Sequence, residues 1–173
     1  RAYFASHAWG NTELPDLLDE LATASGRDLS AWTHEWLETA GVNTLTPDVT
    51  VDDKGAFTSF TVRQTPPTTP PGLEPVLRSH RIAIGLYNDV EGTLMRTQRI
   101  EIDVTGATTD VDDLIGVTQP DLVLLNDDDL TFAKIRLGGR STATAIEHMG
   151  DLTEPMPRAL IWGAAWDRTR DAE

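Results

Sequence analysis

Between Asn11 and Gly41 the apolar residues return every three or four positions, the spacing of one face of a helix. Leu14, Leu17, Leu18 and Leu21 form one such stripe. Asn11-Thr12 can cap it, Pro15 falls in the first turn where a missing N–H costs little, and Gly26 can close it. Asp28 or Ser30 can cap a second helix, with Leu29, Trp32, Trp36 and Leu37 on one side and Gly41 at its end. The spacing predicts a helical pair within residues 1–44.

From about Leu45 to Leu137 the period drops to two. Val49 and Val51 alternate, DDKG turns the chain, and Ala56, Thr58, Phe60 and Val62 are expected to share one face of the next strand. After the proline-rich PPTTPPG, an extended loop, Ile82, Ile84 and Leu86 alternate, as do Ile100, Ile102 and Val104 beyond the NDVEG turn. The run LVLL at 122–125 suits a strand buried on both faces. Thr131, Ala133, Ile135 and Leu137 then alternate again. Six or seven short strands with turn-rich connections and no helix between them predict an antiparallel β-sandwich.

The helical period returns from Gly138. Ser141 can cap a short helix running to Met149, and Pro155 and Pro157 open another, RALIWGAAWDRTRDAE. Leu160, Ile161, Trp162, Ala164, Ala165 and Trp166 surround much of its circumference, so it calls for neighbours on several sides. The predicted fold is therefore mixed α and β. A helical pair (1–44) precedes a sandwich of about seven strands (45–138), and the first helices of an α-helical region follow (139–173). Arg1 opening directly into a helical pattern, and a last helix short of partners, lead us to expect a piece of a longer protein.

Composition narrows the function classes. Over 173 residues, 39% hydrophobic and 24% charged content is that of a water-soluble globular chain. No apolar run approaches the roughly 18 residues of a membrane span. A net charge of −14 repels phosphate backbones and anionic lipid, so neither nucleic acid nor a membrane surface is an expected partner. The absence of cysteine removes disulfides, thiolate catalysis and thiolate zinc sites. All of this is compatible with a cytoplasmic protein.

Four histidines remain, His7, His34, His80 and His148, and no two stand three or four residues apart. His34-Glu35 begins HEWLE, which imitates the H-E-x-x-H of zinc peptidases but has Glu38 in place of the second histidine. If Leu29, Trp32 and Trp36 face a core, His34, Glu35 and Glu38 lie largely on the opposite side, and His34 and Glu38 attract each other one turn apart. NDDDL at 126–130 gathers Asp127, Asp128 and Asp129. It lacks the glycine and distal glutamate of an EF-hand, so a charged hairpin turn is expected rather than a calcium loop. His80 between Arg78 and Arg81 could meet an anion, against the plainer reading of a basic strand start. No nucleophile elbow, P-loop or dinucleotide fingerprint occurs.

Four stretches together resemble one family: YFASHAWGNTELPDLLDELATASGRDLSAWTHEWLETAGVNTL, SHRIAIGLYN, QPDLVLLNDDDLTFAKIRL and PRALIWGAAWDRTRDAE. They are similar to the middle-to-late part of the bacterial aminopeptidase N family, zinc aminopeptidases of the gluzincin type. Where the wider family tends to W-T-x-Q-x-G, this chain has WLETAG at 36–41, similar to the branch whose helix runs on into G-V-N-T-L. The resemblance implies that 1–44 closes a thermolysin-like catalytic domain, 45–138 is the small β-domain after it, and 139–173 begins the helical cap domain. It also implies that the zinc ligands, the G-x-M-E-N exopeptidase motif and the transition-state tyrosine precede Arg1. No catalytic, cofactor-binding or metal residue is therefore assigned here, and His34-Glu35 is a decoy.

The expected role is a non-catalytic segment joining catalytic domain to cap in an enzyme that removes N-terminal residues from peptides. Zinc would belong to the parent enzyme, not to this chain. Its partners would be the rest of its own polypeptide and, for the parent, peptide substrates, with self-association through the truncated helices. Two alternatives compete: a stand-alone sandwich that binds a protein or ligand, and a small hydrolase using carboxylates of the acidic loops.

Overall fold

The structure is a computed structural model and describes residues 1–67, 72 and 75–172. Most of the PPTTPPG loop therefore lies outside the described residues. The chain forms two compact units, Arg1–Thr39 and Ala40–Glu173.

The first unit holds α1 (Ala2–Ser6), α2 (Leu14–Ser25) and α3 (Ser30–Leu37). The stripe Leu14–Leu21 forms a helix as its spacing predicts, but the cap is Glu13, not Asn11-Thr12. The Asp16 carboxylate accepts the Glu13 backbone N–H at 2.8 Å, satisfying a donor that no helical carbonyl can reach. Thr12 instead accepts a hydrogen bond from the Tyr3 hydroxyl at 3.0 Å. Gly26 ends α2 with φ 66°, the left-handed turn that glycine adopts without strain. The N-cap of α3 is Leu29, neither Asp28 nor Ser30, and carries no side-chain cap; Asp28 instead accepts the backbone N–H of Ser30 at 2.9 Å and its hydroxyl at 2.6 Å just before the helix. No residue of these three helices is fully buried.

The second unit holds β1 (Thr44–Val51), β2 (Phe57–Thr65), β3 (His80–Val90), β4 (Thr93–Val104), β5 (Thr108–Asp110), β6 (Leu122–Asp127), β7 (Lys134–Ile135), α4 (Gly139–His148) and α5 (Pro155–Arg170). One sheet has the order β5-β2-β1-β7 and the other β4-β3-β6. All pairings are antiparallel except β1 with β7, where Thr44 and Leu45 run parallel to Lys134 and Ile135. The hairpin β3–β4 turns through Glu91 and Gly92, both at positive φ, as the NDVEG signal predicts.

Two strands depart from the expected pattern. In β2 a register shift opposite Thr50 and Val51 reverses the alternation, so Phe57 is buried and Thr58 exposed. Phe57 and Phe60 then meet edge to face, ring centres 5.2 Å apart, inside the sandwich. The run Thr131–Leu137 contributes only the two paired residues of β7, although Ala133 and Leu137 still pack on the core.

The core joins Leu45, Phe57, Phe60 and Val62 of one sheet to Ile82, Ile84, Leu86 and Leu124 of the other. β3 is the central strand of its sheet, and β6 is an edge strand covered by α4 and α5. All of Leu122–Asp127 is buried, as the uninterrupted LVLL run predicts, because α4 and α5 rest on β6. Ser141 is not the cap of α4. That role falls to Gly138, and the buried Ser141 hydroxyl accepts the Val123 N–H at 2.9 Å, fastening α4 to β6. Pro155 and Pro157 lie in the first turn of α5, which buries Ile161 and Ala164 but leaves Trp162 and Trp166 exposed.

Candidate functional site: a buried carboxylate at the acidic loop

The HEWLE stretch has a simple geometry. His34 Nδ1 lies 3.2 Å from the Glu38 carboxylate, and both side chains are more than half exposed. Glu35, between them in sequence, is half-buried. Among the described residues no three histidine or carboxylate side chains gather around a point where an ion could sit. His34 and Glu38 thus supply at most two of the three protein ligands that a peptidase zinc converges on one open position.

The basic cluster at the start of β3 also disperses. His80 is buried, with its ring nitrogens 2.9 Å from the Thr131 hydroxyl and 3.0 Å from Gln64 Oε1. Arg78, also buried, donates to Asn43 Oδ1 at 2.6 Å. Arg81 is exposed and pairs with Glu101 and Asp103, each at 3.1 Å. The three side chains thus turn to three separate sets of partners.

The acidic loop behaves differently, because it crosses from one sheet to the other. NDDDL is not the turn of a hairpin: β6 ends in the β3 sheet, and β7 pairs with β1 in the other. The crossing is sharp, with Asn126, Asp128 and Asp129 all at positive φ (54°, 73° and 54°), a region that costs a non-glycine residue energy. The Asn126 side chain holds the bend by donating to the Thr131 carbonyl at 2.8 Å and accepting the Thr131 N–H at 3.1 Å.

Asp127 points inward and is wholly buried. Its two oxygens accept the Tyr87 hydroxyl at 2.9 and 3.0 Å, and Oδ2 also accepts Arg96 at 2.8 Å. Arg96 reaches Asp128 as well, at 2.7 Å, and Asp128 accepts Arg99 at 2.6 Å. Arg99 and Arg81 then share Glu101, so alternating charges run across the outer face of β4. Room for the Asp127 carboxylate comes from Gly85, directly beside it on β3. A Cβ at Gly85 would lie 2.8 Å from Asp127 Cγ and from Tyr87 Cε2.

These contacts fix the protonation states. Burial, and next the Asp127 charge, push the Tyr87 phenol far above its ordinary value, so it stays a donor. Hydrogen bonds from Arg96 and Arg99 hold Asp128 below the usual carboxylate range. A cavity of about 290 Å³ lies alongside, lined by Tyr87, Met95, Arg96, Asp128, Glu154 and Met156 among others. Asp127 and Asp128 are taken up by guanidinium and phenol donors. Together these contacts lock the sheet-to-sheet crossing. Of its members the sequence drew attention to the aspartates alone. The available signal for the rest was a glycine inside the alternating IAIGLY run, which marks a close approach.

Comparison with known proteins finds sequence similarity to aminopeptidases N. No family profile matches the chain. The aminopeptidase N of Streptomyces lividans is 54% identical over 176 aligned residues, covering all of this chain and 20% of that protein. The aminopeptidases N of two Lactococcus lactis strains, MG1363 and IL1403, are 43% and 41% identical over 51 residues, 30% of this chain and 6% of each relative. The chain is thus related along its whole length to a segment of the aminopeptidase N family. It spans about one fifth of the length of its Streptomyces relative.

Proposed function

We propose that this chain is a non-catalytic segment of a zinc-dependent aminopeptidase N that removes N-terminal residues from peptides, and that it joins the catalytic domain to the helical cap. The reading rests above all on 54% identity over the whole length of the chain. In it, residues 1–44 close the catalytic domain, 45–138 are the intervening β-domain, and 139–173 open the cap. Zinc and its ligands belong to the parent enzyme, which is cytoplasmic and acts on peptides. Among the described residues no helix is long and apolar enough to cross a membrane. The coreless α1–α3 and the exposed tryptophans of α5 support a chain that meets the rest of its polypeptide at both ends, and that self-associates when alone.

Three measurements test this. Reading the gene on both sides of the coding stretch should show H-E-x-x-H upstream in the same frame; a frame confined to these residues would favour a stand-alone module. The purified chain, dialysed and analysed for metal, should hold no stoichiometric zinc and release no arylamine from aminoacyl arylamides with zinc added. One tightly bound zinc per chain, or turnover lost in His34→Ala, would overturn the non-catalytic reading.

A further inference from the structure

The joint between α4 and α5 carries a histidine surrounded by acid. His148 is the last residue of α4, and its Nδ1 lies 2.9 Å from the Asp151 carboxylate across the single turn Met149–Asp151. Glu147 approaches the other ring nitrogen at 3.9 Å. Asp89, at the end of β3, adds its charge from a neighbouring element. Asp121, before β6, is within electrostatic reach and is itself held by the Asp89 N–H at 3.0 Å and by Arg140 at 2.8 Å. Two carboxylates thus lie against the imidazole, and two more act on it through space, one of them paired with Arg140.

What the turn connects makes the contact consequential. Leu152, the next residue, is buried and bridges Leu94 of β4, and α5 begins three residues later. Met149, at the near side of the turn, packs partly on the core and lines the groove between α4 and α5. The geometry points to a proton-operated latch: imidazolium at His148 pins the Met149–Asp151 turn and with it the start of α5, and deprotonation loosens the joint.

The sign follows from the surroundings. The hydrogen bond to Asp151, with the Asp151, Glu147 and Asp89 charges behind it, raises the His148 pKa above 6.5. The latch is therefore fully engaged below about pH 6.5 and is released as pH rises through the raised value. A neutral ring can keep the Nδ1–H bond to Asp151 but loses its charge assistance.

The test is amide hydrogen exchange by NMR on the full chain, at pH 5.5 and 8.5, corrected for intrinsic exchange chemistry. Protection at residues 149–161 should be roughly two- to fivefold greater at pH 5.5, the range of a partly exposed ion pair. That difference should vanish in His148→Gln and in Asp151→Asn, and the His148 ring should titrate nearer its ordinary value in Asp151→Asn. Equal protection at both pH values in the wild type, or a pH dependence that survives in His148→Gln, would overturn the latch. Neither outcome bears on the aminopeptidase reading, which the metal and gene measurements address separately.

Discussion

Gly85 shows how one missing side chain organises a site. It sits in the middle of β3, where a strand gains nothing from glycine's flexibility, and its absent Cβ is filled by the Asp127 carboxylate. In Gly85→Ala the new methyl would displace Asp127 from Tyr87 and Arg96 with no solvent to receive the charge. Overpacking and a broken buried pair act together, so destabilisation of about 3 kcal/mol or more is expected in denaturant titration. Tyr87→Phe, which removes only a donor, should destabilise less, by about 1–3 kcal/mol. A Gly85→Ala protein as stable as wild type would refute the lock. At this scale the sequence showed which residues carry charge but not which charges meet. Asp127 and Arg96 are 31 positions apart, and only the pairing of β3 with both β4 and β6 brings them together.

The elements differ in what holds them. β3 and β6 are buried on both faces, whereas α2, though capped at both ends, and α3 have no fully buried residue. Capping and propensity alone leave a helix of 12 residues marginal in water. Amides of α2 and α3 should therefore exchange orders of magnitude faster than those of Ile82–Leu86 or Leu122–Leu125 in the isolated chain. Comparable protection in both sets would mean that the helices possess a core of their own. Element type was legible because periods of 3.6 and 2 are written locally. Three details were not: the bulge that buries Phe57, the shortening of β7, and the use of Ser141 as a clamp on Val123. Each is settled by a partner strand or helix whose register no local pattern carries.

Across the whole molecule, apolar surface and net charge oppose each other. Ile146, Trp162 and Trp166 are 78%, 64% and 68% exposed, beside a groove of about 370 Å³ between α4 and α5. Both helices rest on β6, so the groove is held open by the sheet beneath it. Such a patch drives association, while a net charge of −14 resists it. Light scattering should show the chain self-associating with concentration, and more strongly as salt screens the repulsion. The double variant Trp162→Ser, Trp166→Ser should weaken this without lowering stability, since both rings are already largely in water. A monomer at every concentration and salt would refute it. The sequence by itself determined the order of elements, the mixed fold class and the family resemblance, because these depend on periodicity, turn residues and motif order along the chain. Only the tertiary structure decided that Glu35 is half-buried beside an exposed His34, that the acidic loop crosses between sheets rather than closing a hairpin, and that Arg96 and Tyr87 lock Asp127. Those outcomes depend on which faces are covered and on contacts between residues far apart in the chain, and no local spacing encodes either.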